Sequence, residues 1–237
     1  ATSKGFFGPE LKAAGYDAII IKGKAEKPVY LWINDGEVEI KDASRLRGKP
    51  TREVQKIIKA ELKDDRVQVG CIGIAGENLV RFANIMFGFN HFAGRTGMGA
   101  VMGSKNLKAI AVRGTGKVKY ANEEKLVDLL MEKLISKEAL SGPYFPDGLF
   151  KYGSLADLGY WQETGRLPTK NFRKSLFSGY ENLTAETLTD SPYIIRHNTC
   201  PHCTVGCNRI TKANVPYQLD PEYALPEYES TAALSTL

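Results

Sequence analysis

The hydrophobic and polar positions change rhythm twice along the chain. Ala18-Ile19-Ile20-Ile21 is a short apolar run of the kind that forms a buried strand. Val29-Tyr30-Leu31-Trp32-Ile33 predicts a second strand, Asn34-Asp35-Gly36 a tight hairpin turn, and Val38-Glu39-Ile40 the returning strand. Thr51 is placed to cap a helix in which Val54, Ile57, Ile58 and Leu62 fall at helical spacing. Val67–Ile72 and Leu107–Val112 predict further strands. Asn122 opens a strongly helical segment to about Ser136, with Leu126, Leu129, Leu130, Leu134 and Ile135 as its apolar stripe. Loop, helix and turn alternate from Gly142 to Asp190. The pattern predicts an α+β chain with a boundary near residue 118: a β-sheet-rich part, 1–118, and a mainly helical part, 119–237.

Composition narrows the class. The 237 residues are 43% hydrophobic and 25% charged, as in ordinary globular proteins. Basic residues exceed acidic ones by 32 to 27, and the two kinds alternate along the chain. That balance speaks against a nucleic-acid partner. No apolar run approaches the roughly 20 residues of a membrane span. The chain opens without Met and stops at Ser235-Thr236-Leu237, inside what reads as an unfinished helix, so a piece of a longer polypeptide is expected.

Three segments carry candidate chemistry. Cys200, Cys203 and Cys207 stand in C-x2-C-x3-C spacing. Three thiolates on one tight loop suit three irons of a [4Fe–4S] cluster, with a fourth cysteine from elsewhere. Structural zinc is the alternative, although zinc usually takes two separated ligand pairs. Clustered thiols of this kind point to a reducing, cytoplasmic compartment. The fourth cysteine in the chain, Cys71, lies in an apolar strand and reads as an inert thiol.

The second segment is the glycine-dense stretch from Ala93 to Lys105, containing Gly94, Arg95, Gly97, Gly99 and Gly103. It fits close approach to a phosphate, or tight packing of a helix on a sheet. Neither the P-loop pattern nor a dinucleotide fingerprint is present. The third segment is Pro226-Glu227-Tyr228-Glu229-Ser230, whose carboxylates could cap a helix or face a pocket.

Together and in this order, these segments resemble the tungsten-containing aldehyde ferredoxin oxidoreductase family. Gly5–Lys12, Ala14–Ile19, Gly23–Tyr30, Ala75–Asn78 and Ala93–Ala111 carry the likeness in the first part. The Cys200–Cys207 loop and Pro226–Ser230 carry it in the second. The resemblance implies that 1–118 is the later part of a domain cradling a tungsten bis-pyranopterin, and that 119–237 begins a helical domain. It implies that Cys200, Cys203 and Cys207 ligate a [4Fe–4S] cluster whose fourth cysteine lies downstream. Ala93, Gly94, Arg95, Gly97 and Gly99 would contact the pterin phosphates. Backbone carbonyls at Thr2 and Phe92 would help hold a bridging Mg2+. The family often has Asn at the Thr2 position and Arg-Ala at His91-Phe92. Glu229 would lie near tungsten and handle the proton, with Glu227 the second candidate; His91, His197 and His202 do not match the family's proton-relay histidine. The implied activity is oxidation of an aldehyde to a carboxylic acid, with electrons passed to ferredoxin or a ferredoxin-like subunit, in a possible homodimer. Same-fold enzymes acting on formaldehyde, glyceraldehyde 3-phosphate or an aromatic acyl-thioester ring are the alternatives, as is a pterin-free iron–sulfur or zinc module.

Overall fold

The computed structural model describes residues 1–135, 148–189, 194–213, 218 and 232–234. The chain divides into two compact units, Ala1–Lys119 and Tyr120–Leu237.

The first unit is built on a six-stranded mixed sheet. Its strands are β1 (Val29–Asn34), β2 (Glu37–Asp42), β3 (Gln68–Cys71), β4 (Ile85–Phe87), β5 (His91–Ala93) and β6 (Leu107–Arg113), in the order β2-β1-β6-β3-β4-β5. β1 and β6 run parallel and every other pair is antiparallel. The β1–β2 hairpin turns as its sequence demands. Asp35 (φ 43°) and Gly36 (φ 94°) both take left-handed backbone, which opposes Asn34 to Glu37. Asp35 also accepts hydrogen bonds from the Thr115 amide at 2.6 Å and hydroxyl at 2.8 Å, tying the turn to the chain after β6.

Helix α2 (Thr51–Leu62) lays its apolar side on the sheet. Val54 and Ile58 are fully buried beside Tyr30, Val67, Val69, Cys71, Ala109 and Ala111, with Ile57 and Leu62 at the margin. Truncating Ile58 to alanine in such a core costs about 2–5 kcal/mol. Thr51 does not cap this helix. It is the first helical residue, and Pro50, fixed in extended backbone, holds the cap position while its carbonyl accepts from the Val54 amide at 3.1 Å. Nor is Ala18–Ile21 a strand. It has no ladder partner, and Ile20 is 83% exposed while Ile19 and Ile21 tuck into two different apolar clusters. Its exposure alternates like a strand's, but no strand among the described residues pairs with it.

Three short helices complete this unit: α1 (Phe7–Ala13), α3 (Ile74–Glu77) and α4 (Met98–Ser104). In the second unit, Asn122 caps α5 (Glu123–Leu130) by accepting from the Lys125 amide at 2.8 Å. The helix runs into a wider π-helical turn over Met131–Ile135. Of its apolar stripe, Leu129 is about half exposed and Leu126 and Leu130 are half-buried among the described residues. Helices α6 (Leu149–Tyr152), α7 (Asp157–Glu163) and α8 (Ala185–Thr189) gather round a small core of Leu155, Leu158, Leu167, Ala185 and Ala232. The unit also holds a two-stranded hairpin, β7 (Ile194–Asn198) and β8 (Asn208–Thr211).

Candidate metal and cofactor sites

The β7–β8 hairpin creates the cysteine site. Its last pair, Asn198 opposite Asn208, closes a loop over residues 199–207 and confines Cys200, Cys203 and Cys207 to it. Within the loop the Cys203 amide donates to the Cys200 carbonyl at 3.1 Å, which makes the first turn. His202 (φ 58°) and Gly206 (φ 56°) are left-handed, so the chain curls twice in eight residues between Cys200 and Cys207. A Cβ on Gly206 would meet Thr199 Cγ2 at 2.8 Å, so the second curl needs glycine on two counts. All three thiols are partly accessible and none is in a disulfide.

The loop rests on a cationic floor. Arg209, two residues after Cys207 in β8, is 2% exposed. Its Nη1 donates to the carbonyls of Gly206 and, at 3.1 Å, Asn208, and its Nη2 donates to the Phe150 carbonyl. Its Nε has no hydrogen-bond partner, and no carboxylate pairs with it among the described residues. Burial pulls the guanidinium's pKa down from its ordinary value, and the neighbouring Cys207 opposes that shift. Gly153 (φ 68°), between α6 and α7, presses so closely that a Cβ would collide with the Cys207 carbonyl. The Phe150 and His197 rings meet edge to face at 5.2 Å.

A buried cation that lacks an anion is costly. A thiolate-bound iron–sulfur cluster is an anion, and this floor fits one. Among the described residues no three His, Cys, Asp or Glu side chains are grouped as the ligands of a single metal ion. A cubane does not require that grouping, because each thiolate binds a different iron.

The glycine stretch divides into two kinds of position. Gly97, Gly99 and Gly103 are used up by packing. A Cβ on Gly97 would run into the Arg81 carbonyl, one on Gly99 would lie 2.5 Å from the Asn84 carbonyl oxygen, and one on Gly103 would strike the Gly76 carbonyl. The Gly99 amide already donates to the Ala83 carbonyl at 2.9 Å. These glycines let α4 lie on α3 and the 81–84 backbone. Gly94 is different: it is exposed, and the nearest atoms to its Cβ position stand 4.0 Å away. Arg95 and Phe92 are exposed beside it, whereas Ala93 and His91 are buried. β5 alternates in this way because it is an edge strand with one face inward. Thr96 (φ 68°) completes the turn in left-handed backbone that a β-branched residue rarely takes. Thr2 lies exposed in the N-terminal segment. Glu227 and Glu229 lie outside the described residues.

Two family models match the chain in sequence. Residues 1–114 match the N-terminal domain of aldehyde ferredoxin oxidoreductase, and residues 130–237 match its domains 2 and 3. The chain belongs to the aldehyde ferredoxin oxidoreductase family. It is 45% identical over 236 residues to the tungsten-containing aldehyde ferredoxin oxidoreductase of Pyrococcus abyssi, covering 99% of this chain and 37% of the relative. It is 35% identical over 97% of its length to the WOR-like subunit of an aliphatic sulfonate oxidoreductase from Pyrococcus furiosus, of which it covers 38%. Among solved structures, the active-site complex of a benzoyl-coenzyme A reductase with 1,5-dienoyl-CoA superimposes with TM-score 0.69 and 34% identity, over 92% of this chain and 35% of that one. The chain thus spans a little over a third of the length of these relatives.

Two features of this family member were not foreseen from sequence. One is Arg209, whose partners Phe150 and Gly153 are remote in sequence. The other is a buried ion pair: Lys108, 2% exposed in β6, donates to Glu77 and, at 3.1 Å, to the Lys49 carbonyl. Glu77 also accepts from the Gly48 amide at 2.8 Å. Ala75-Gly76-Glu77-Asn78 therefore carries a structural glutamate as well as the glycine that receives α4. Cys71 is fully buried, donates weakly to the Thr51 carbonyl at 3.5 Å, and has its thiol pushed up to about 12 by burial. It is a core residue of the first unit.

Proposed function

We propose that this chain is the part of a tungsten-containing oxidoreductase that holds its iron–sulfur cluster and part of its pterin cradle, in an enzyme oxidising aldehydes to carboxylic acids. The observation that carries the reading is the Cys200–Cys207 hairpin loop on its buried arginine, in a chain 42–45% identical to four tungsten-containing aldehyde ferredoxin oxidoreductases. The overall change is aldehyde plus water to carboxylic acid, two electrons and two protons. When bound, the tungsten pterin supplies the two-electron redox step and the [4Fe–4S] cluster passes electrons on singly to ferredoxin or a ferredoxin-like subunit.

The chain's own residues would then do the following. Cys200, Cys203 and Cys207 hold three irons, with the hairpin fixing their spacing. Gly94 and Arg95, the open and cationic positions of the glycine stretch, face pterin phosphates. Backbone carbonyls of Thr2 and Phe92 would help hold a Mg2+ ion there. Glu229 takes the proton lost from the reacting aldehyde, with Glu227 its neighbour. Gly97 and Gly99, packed on the 81–84 backbone, would shape the cradle and bring its chain close to the same phosphates. The accessible, undisulfided thiols suit a reducing cytoplasm.

The likeness to the sulfonate oxidoreductase subunit and to the benzoyl-coenzyme A reductase complex favours one second reading: the same cofactors serving another substrate. Anaerobic assay of the native protein with a panel of aldehydes and oxidised ferredoxin decides between them. Aldehyde-dependent ferredoxin reduction is expected, and Glu229→Gln should lower turnover by about 10²–10⁴-fold with tungsten content unchanged. Full tungsten and cluster content with no aldehyde turnover would move the protein to the second reading.

A further inference from the structure

The cysteine loop carries a feature that holding iron does not require. Among the described residues, Arg209 is the largest of the fully buried side chains, and every hydrogen bond it makes goes to a neutral carbonyl. Two of those carbonyls, Gly206 and Asn208, flank Cys207 directly. The third, Phe150, belongs to α6, so the guanidinium ties the hairpin to that helix. Nε, also buried, has no hydrogen-bond partner among the described residues. The charge is therefore fixed in place, shielded from water and left without a carboxylate among the described residues.

We propose that Arg209 is a built-in counter-charge for the cluster that favours its reduced state, so that the loop accepts an electron more readily than its thiolates alone would allow. This rests on reading Cys200, Cys203 and Cys207 as cluster ligands. One-electron reduction adds one negative charge to the cluster, with no bond made or broken. A rigid cation in a poorly screened site stabilises that added charge. The same cation stabilises the oxidised anionic cluster less, because its charge is smaller. Arg209 is thus a positioning and tuning residue, acting through charge on the group that Cys207 holds. A hydrogen-bonding scaffold alone could be built from a neutral side chain.

The test is an anaerobic redox titration of the native protein, stepped with dithionite and followed by electron paramagnetic resonance, on wild type, Arg209→Gln and Arg209→Lys. Iron is measured on every sample. Arg209→Gln should lower the reduced-to-oxidised ratio of the cluster at a fixed potential about tenfold, a shift of about 59 mV for a one-electron couple. Arg209→Lys, which keeps the charge but loses the fork, should stay within about threefold of wild type. A cluster lost in Arg209→Gln but kept in Arg209→Lys also supports the charge requirement. Equal shifts in both variants, no shift in either, or loss of the cluster from both would overturn the proposal and leave Arg209 a packing residue. Wild-type protein without a [4Fe–4S] signal would instead overturn the reading of the cysteines.

Discussion

Two loops in this chain read as ligand-binding from their residues, and the structure completes them in opposite ways. The Ala93–Lys105 stretch closes upon its own chain. Its buried glycines meet the carbonyls of Gly76, Arg81 and Asn84, and the Gly99 amide is already satisfied by Ala83. The Thr199–Cys207 loop leaves its chemical groups turned away from such packing: its three cysteines are only half-buried. It carries three partly accessible thiols, and beside Cys207 lies a buried guanidinium with no anionic partner among the described residues. Dense glycine is thus a statement about how near two backbones must come. Spaced cysteine over uncompensated charge is a statement about a missing anion.

The contrast can be broken most forcefully by stripping the iron. Chelation of the native protein under oxidising conditions should lower hydrogen-exchange protection in β7 and β8 by roughly a thousandfold, as when a bound group adds about 4 kcal/mol of local stability. Protection in β1 and β6 should hold. An equal loss in both units, or no loss in β7 and β8, would remove the distinction between the loops.

Next in size is chemical reactivity. In metal-free protein at pH 8, Cys71 should react with iodoacetamide more than about a thousandfold more slowly than Cys200 or Cys203. Burial raises its thiol to about 12, so its thiolate is scarce at that pH. Peptide mapping of the alkylated protein reads each site, and comparable labelling of Cys71 in folded protein would show that its strand opens.

The smallest effect separates the two kinds of glycine. Gly99→Ala should destabilise the first unit by about 1–3 kcal/mol, because the new methyl meets fixed backbone. Gly94→Ala should change stability by less than about 0.5 kcal/mol, yet weaken pterin retention if that position faces a phosphate. Thermal unfolding with cofactor analysis reads both. A large stability loss at Gly94 would make the whole stretch a packing device.

How much of this was legible beforehand followed the range of the interactions. The β1–β2 hairpin, α2 and the Asn122 cap are local, and Asn34-Asp35-Gly36 and the spacing of Val54 and Ile58 carry them. The C-x2-C-x3-C spacing is likewise local. Ala18–Ile21 misled because a short continuous apolar run says nothing about whether a partner strand exists. Thr51 misled because the proline before it took the cap. β4 and β5 are only three residues each, too short for any periodicity. β7 and β8 are short and largely polar, and they flank a loop whose cysteines dominate the reading. Arg209 with Phe150, and Lys108 with Glu77, are contacts between distant positions, and no spacing rule reaches them.

Metal analysis of the native protein, purified without oxygen, tests the Cys200–Cys207 loop as a cluster site most directly. Mass spectrometry should find about four irons and about one tungsten per subunit, with the spectroscopic signature of a [4Fe–4S] cluster after reduction, and Cys203→Ser should lose that signature. Zinc in place of iron, or a cluster that survives Cys203→Ser unchanged, would contradict it.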